Sequence, residues 1–131
     1  MGSQIDLAQK ALLLAGRALL GLYFIVPGIM KVLGFEGTAE AMANQGVPMV
    51  TVLLVLTIII QIGGGFCLAA GIRTQAVAFL LAGLTLVISI FMHSFWAMEE
   101  GIQQAHEMQN FIKNMAIMAG LMCVAGTAKS S

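Results

Sequence analysis

Apolar residues fall in four long runs separated by short polar stretches. A helix rises about 1.5 Å per residue, so crossing a bilayer core takes about 20 apolar residues. The runs predict spans over about residues 7–33, 48–72, 75–95 and 109–127. Between the second and third lies only "GIRT", Gly71 to Thr74, a connection tight enough to make those spans antiparallel neighbours. The first connection, Gly34 to Pro48, is longer. Within it Thr38 is placed to cap a short helix that Gly46 stops, with Pro48 opening the next span. Phe35, Ala39 and Met42 give that short helix a weak apolar face for lying on the membrane surface.

Polar positions inside the runs are not scattered. At 100° per residue, Arg17, Gly21, Phe24, Gly28 and Lys31 form one stripe of the first span. A charge in mid-bilayer costs about 2.5–3.5 kcal/mol on insertion scales, so this stripe belongs against protein or near a headgroup layer. Pro27 removes a backbone donor beside it, which predicts a kink there. Thr57, Gln61, Gly64 and Gly71 line one side of the second span, where Gly63–Gly65 permits close packing. The third carries Ala78, Ala82, Thr85, Ser89, His93 and Trp96, and the fourth His106, Asn110 and Lys113, with Gly120 beyond. Helix-packing roles therefore go to Arg17, Gly21, Gly28 and Gly64.

Composition agrees with burial in lipid. Hydrophobic residues make up 60% of the 131 and charged residues 9%, against about 25% charged in soluble domains. The fold class that follows is all-α: a single domain, residues 1–131, forming an integral-membrane four-helix bundle. The start of the chain lacks the pattern of a removable signal peptide, and Gly2 lacks the context for myristoylation. Zero net charge gives no reason to expect nucleic acid as a partner. Lys10, Arg17, Arg73 and Lys129 gather at one membrane side, so both termini and the "GIRT" turn are expected in the cytoplasm. Glu36, Glu40, Glu99, Glu100 and Glu107 fall in or beside the outer connections.

That topology brings Lys31, His93, Asn110 and Lys113 towards the outer leaflet, with Gln61 near mid-depth. A polar pocket in the outer half of the bundle is the expectation. Two lysines there repel unless an anion, an electron-rich oxygen or a nearby acid offsets them, and Glu36 and Glu107 are the candidate acids. His93 is a candidate to donate or accept a proton or to hydrogen-bond a carbonyl. Met92, Met98, Met108 and Met115 suit packing better than Cu(I), since their spacing with His93 and His106 repeats no ligand motif, and no metal site is expected. Cys67 and Cys123 are read as inert thiols.

The ordered set "GRALLGLYFIVPGIMKVLGF", "GVP", "GGGFCLAAGIRTQAVAFLLAG", His93 and "NFIKNMAI" resembles the DoxX family of small four-helix membrane proteins. The resemblance covers nearly the whole chain. It implies residence in a bacterial inner membrane and, through members similar to the DoxD subunit of a thiosulfate–quinone oxidoreductase, a quinone-linked redox system. Many relatives carry a glutamate just before the glycine pair of the second span, where this chain has Gln61. Glutamine carries no proton at neutral pH, which weakens a proton relay along this helix. The expected function is a quinone-associated redox component with a partner protein. His93 would act as its catalytic proton donor and acceptor, and Lys31, Gln61, Asn110 and Lys113 as its ligand-binding residues. Two other classes stay open: a carrier of small molecules or lipids, and an assembly or structural subunit that packs against copies of itself.

Overall fold

The computed structural model describes residues 2–127. Lys129, counted above as a cytoplasmic cation, lies outside them. Five α-helices follow one another: α1 Gly2–Leu33, α2 Phe35–Asn44, α3 Val50–Ala70, α4 Thr74–Met92 and α5 Ile102–Thr127. A single 3₁₀ turn, Phe95–Ala97, precedes α5. Among the described residues α1, α3 and α4 with its 3₁₀ extension are long and apolar enough to cross a membrane. The helix α5 has the length, 26 residues, with a more polar first half.

The molecule is built as two hairpins. In the first, α1 packs along α3, and α2 bridges their ends. In the second, α4 packs along α5. Contact between α3 and α4 is sparser, although only the Gly71 turn joins them. The α1–α3 pair is antiparallel. Arg17 lies at Gly71, Gly21 at Gly65, and Gly28 at Gln61 and Ile62, so rising numbers on one helix meet falling numbers on the other.

Helices in lipid gain nothing by hiding apolar surface from one another, so close backbone packing has to hold them. Gly21 and Gly65 supply it. A Cβ on Gly21 would stand 2.5 Å from the Gly65 carbonyl oxygen, and one on Gly65 would stand 2.6 Å from the Gly21 carbonyl oxygen. The sequence stripe of α1 is therefore the buried face, with Gly21, Phe24 and Gly28 inside and Arg17 and Lys31 half-buried at its two ends. Gly28 meets Ile62. Gly64 turns the other way and faces Leu81 of α4. Outward, Leu19, Leu22, Ile29 and Leu80 present the exposed apolar surface that a bilayer would cover.

Several local expectations change. The short helix starts at Phe35 with Gly34 as its N-cap, so Thr38 sits inside it and caps nothing. Gly46, at φ +80°, closes it through a hydrogen bond from its N–H to the Ala43 carbonyl. Phe35, Ala39 and Met42 are on its half-buried side, together with Thr38. The next helix begins at Val50, two residues after Pro48, because Met49 takes a left-handed conformation as its N-cap. The buried face of α3 is Leu54, Gln61, Gly65 and Leu68, not the Thr57–Gly64–Gly71 side. Gly71 instead ends α3 in a left-handed cap, with Ile72 N–H bonded to the Cys67 carbonyl and Gly71 N–H to that of Leu68. The helix α1 runs unbroken through Pro27. Cys67 and Cys123 are free thiols.

The glycine contact makes a sharp prediction. Gly21→Ala and Gly65→Ala should each lower the thermal midpoint in detergent by the equivalent of about 1–3 kcal/mol, the usual cost of overpacking. Gly63→Ala, where a Cβ meets nothing within 4 Å, should leave it unchanged or raise it.

Candidate functional site

A cavity of about 300 Å³ opens in the seam between the two hairpins. From α1 it takes Tyr23, Phe24, Pro27 and Lys31, and from α3 it takes Gln61. Thr85 and Ile88 of α4 line it with His93. Asn110, Lys113, Asn114 and Ile117 complete it from α5. Lys31, Gln61, His93, Asn110 and Lys113, each placed here by the sequence, thus share one cavity. Ligand cavities commonly measure about 300–1,000 Å³, so this one holds a single small ring or headgroup.

Each polar group reaches the cavity for a local reason. Lys31 is in the last turn of α1, on the same stripe as Gly28, and makes no ion pair among the described residues. Gln61 is carried in by the α1–α3 contact and is 4% exposed, yet its Oε1 has no hydrogen-bond partner among the described residues. A buried amide oxygen left unpaired costs about 1–3 kcal/mol, so it favours a donor in the cavity. Thr85 and Ser89 hold their hydroxyls away from that task. Thr85 donates to the Leu81 carbonyl at 2.8 Å and Ser89 to that of Thr85 at 2.7 Å.

His93 is the C-cap of α4. Its Nδ1 lies 2.5 Å from Glu107 Oε2, joining the end of α4 to the first half of α5. Gln104 reinforces that join by donating to the Phe95 and Met98 carbonyls at 3.1 and 3.3 Å. The loop that carries His93 is therefore tied at both ends. Glu107 serves the histidine rather than the lysines. Glu36 makes no ion pair among the described residues.

Two polar cavity residues escaped the sequence reading. Tyr23 donates to Asn114 Oδ1 at 2.9 Å, linking α1 to α5 across the seam. A lone tyrosine in mid-span needs a polar partner, and that signal was present. Asn114 stands four residues after Asn110, hence on the same helical face. The seam of α5 is Glu107, Asn110, Asn114, Ile117 and Leu121; His106 and Lys113 flank it, His106 exposed and Lys113 at the cavity edge. Half-buried Gly120 would meet nothing with a Cβ. On the α4 side the expected stripe holds from Ala78 to His93 and fails at Trp96. Trp96 is 55% exposed and packs edge-on against Phe95 and Phe111 in an aromatic cluster beyond the cavity.

At the far end Arg17 lies across Gly71, at the carbonyl end of α3, where a cation complements the helix dipole. It stands apart from the cavity.

A seam between two hairpins, lined by amides, amines and an imidazole and set among apolar helices, defines a small membrane protein with an internal polar pocket. The chain belongs to the DoxX family, whose model matches residues 12–94. It is 31% identical to inner membrane protein YphA of Escherichia coli (strain K12) over 120 residues, 92% of this chain and 85% of that protein. It is 34% identical to inner membrane protein YqjF of the same organism over 114 residues, 87% of this chain and 82% of that one. No solved structure matches it. With these relatives and its apolar helices, the protein is a multi-pass inner-membrane protein.

The Tyr23–Asn114 bond can be tested directly. Asn114→Ala should destabilise the protein by about 1–3 kcal/mol, because it strands the tyrosine hydroxyl. Tyr23→Phe, which leaves an amide able to find other partners in the cavity, should cost less. Thermal unfolding in detergent orders the two.

Proposed function

We propose that the cavity binds the headgroup of a membrane quinone and that the protein is the quinone-binding component of a redox system. The observation that carries this reading is the meeting of Lys31, Gln61, His93 and Asn110 from four parts of the chain in one small cavity. Quinone carbonyls are electron-rich oxygens on a flat ring, and the site offers what they accept. The Lys31 ammonium and the Asn110 and Asn114 amides are donors, and the unpaired Gln61 oxygen suits the hydroxyl of the reduced form.

A quinone supplies two-electron, two-proton chemistry when bound. The chain's part is to bind, orient and handle a proton. Glu107 engages Nδ1 of His93 and so fixes the ring, leaving Nε2 as the nitrogen that holds or releases a proton. Lys31 and Lys113 keep the cavity cationic, which favours a ligand oxygen gaining negative charge. Electrons are exchanged with a partner protein. In this reading α5 is the fourth crossing, paired with α4 throughout its length, and the cavity lies in the outer half of the bundle.

The orientation rests on the cations. Arg17 lies at the Gly71 turn, two residues from Arg73, so both gather at the end opposite the cavity. In a variant lacking Cys67 and Cys123, a cysteine at Ile72 should resist an impermeant maleimide in intact cells, whereas one at Glu99 should react. The reverse pattern inverts the topology.

Decylubiquinone added to purified protein should raise its thermal midpoint, by the equivalent of about 2.7 kcal/mol at a hundredfold excess over Kd. Lys31→Ala should remove that shift. No shift in the unaltered protein up to the solubility limit would defeat the quinone reading.

A further inference from the structure

A second cleft, of about 320 Å³, lies beside the polar cavity. Its walls are apolar: Leu53, Leu56 and Ile60 from α3, and Leu84, Val87 and Phe91 from α4. Thr38 and Met42 of α2, with Val47 and Pro48, border it at one end. Two residues belong to both spaces, Lys31 and Ile88. The Lys31 side chain thus stands on the boundary between a polar chamber and a hydrocarbon one. The sparse α3–α4 contact is what leaves the second chamber unfilled by protein.

We infer that the ligand is a chain-bearing amphiphile: its oxygen-bearing head occupies the polar cavity and its hydrocarbon chain turns past Lys31 into the α3–α4 cleft. This rests on the quinone-head reading above and adds where the chain lies. The division of chemistry requires it. The cavity offers an amine and amides within a 300 Å³ space that a single ring fills. A chain attached to such a head must leave it, and the shared Lys31–Ile88 wall gives the neighbouring exit. In the cleft the chain meets branched aliphatic side chains and Phe91. Lipid tails are as apolar as leucine, so burial alone does not favour this chain over a bilayer chain. Attachment to a bound head does, because it makes occupancy of the cleft intramolecular. The Thr57 hydroxyl, the polar side chain among the α3 residues of the cleft, is already spent on the Leu53 carbonyl at 2.8 Å, so it asks nothing of an apolar occupant.

The test uses the full chain in nanodiscs and a decyl ubiquinone analogue carrying a diazirine midway along its chain. Photolysis should label residues between 53 and 60 and between 84 and 91, and excess unlabelled decylubiquinone should abolish that labelling. A tail-less ubiquinone head should also displace it, by competing for the cavity. Lys31→Ala should lose it, whereas Leu80→Ala on the outer face of α4 should not. Labelling on outward positions such as Leu22 or Leu80, with the head still raising the melting temperature, would overturn the chain placement while sparing the head site. Equal, uncompeted labelling of the cleft by a diazirine phospholipid would likewise overturn it, since a bilayer chain would then be the occupant. Failure of both the tailed and tail-less compounds to shift the melting temperature would defeat both readings.

Discussion

The contact between Gly21 and Gly65 sets the rest of the molecule. Each backbone approaches the other where a single methyl group would collide with a carbonyl oxygen. In lipid this is a main source of helix cohesion, since dispersion at short range replaces the missing hydrophobic drive. Its register has consequences along both helices. About two turns on, Gly28 admits Ile62, and Gln61 is drawn inside. One turn back, Arg17 comes to rest across the end of α3. Slipping α1 by one residue would replace Gly21 at the crossing with Leu20 or Leu22, and neither fits.

The second hairpin is held by different means. Leu81, Ala82 and Leu121 form its packed interior, together with Phe24 from the first. At the cavity end its helices are joined by His93–Glu107 and by Gln104 to the intervening loop. Across the seam, Tyr23–Asn114 is the side-chain hydrogen bond between hairpins. Of the five buried polar side chains, Gln61, Thr85, Ser89 and Asn114 lie on the seam-facing stripes, and Thr74 is at the start of α4. Interior polarity and exterior apolarity are thus reversed relative to a soluble bundle. Thr85, Ser89 and Asn114 find their partners within the protein, whereas the Gln61 Oε1 has none among the described residues.

Much of this was legible in the sequence because it is periodic. The stripe from Arg17 to Lys31 and the stripe from Ala78 to His93 needed only the helical repeat, and both are the faces that turn inward. The cavity residues Lys31, Gln61, His93, Asn110 and Lys113 followed from placing those stripes at a common depth. Errors came on α3, where Gly63–Gly65 offers a small residue to more than one face, on α5, and where periodicity stops. Thr38 has the chemistry of a cap, but Gly34 ends α1 and starts α2 with almost no gap, so the threonine is already helical. Trp96 lies beyond the end of α4, where the 3₁₀ turn rotates it away from the stripe. On α5, two faces fit the spacing equally well from Asn110, through His106 and Lys113 or through Glu107 and Asn114. The choice is made by His93 and Tyr23, which lie far away in sequence.

The sparse join between the two hairpins has a kinetic meaning. Both chambers lie where separate helix pairs meet, and Lys31 and Ile88 form their common wall. A molecule dissolved in the membrane can reach such a seam sideways, without passing through water. In the proposed quinone-binding reading, filling and emptying then depend on how readily the hairpins part, and so on the lateral pressure of the surrounding lipid. Lipid order becomes a control on exchange in its own right, acting on the rate of entry while leaving the polar contacts untouched.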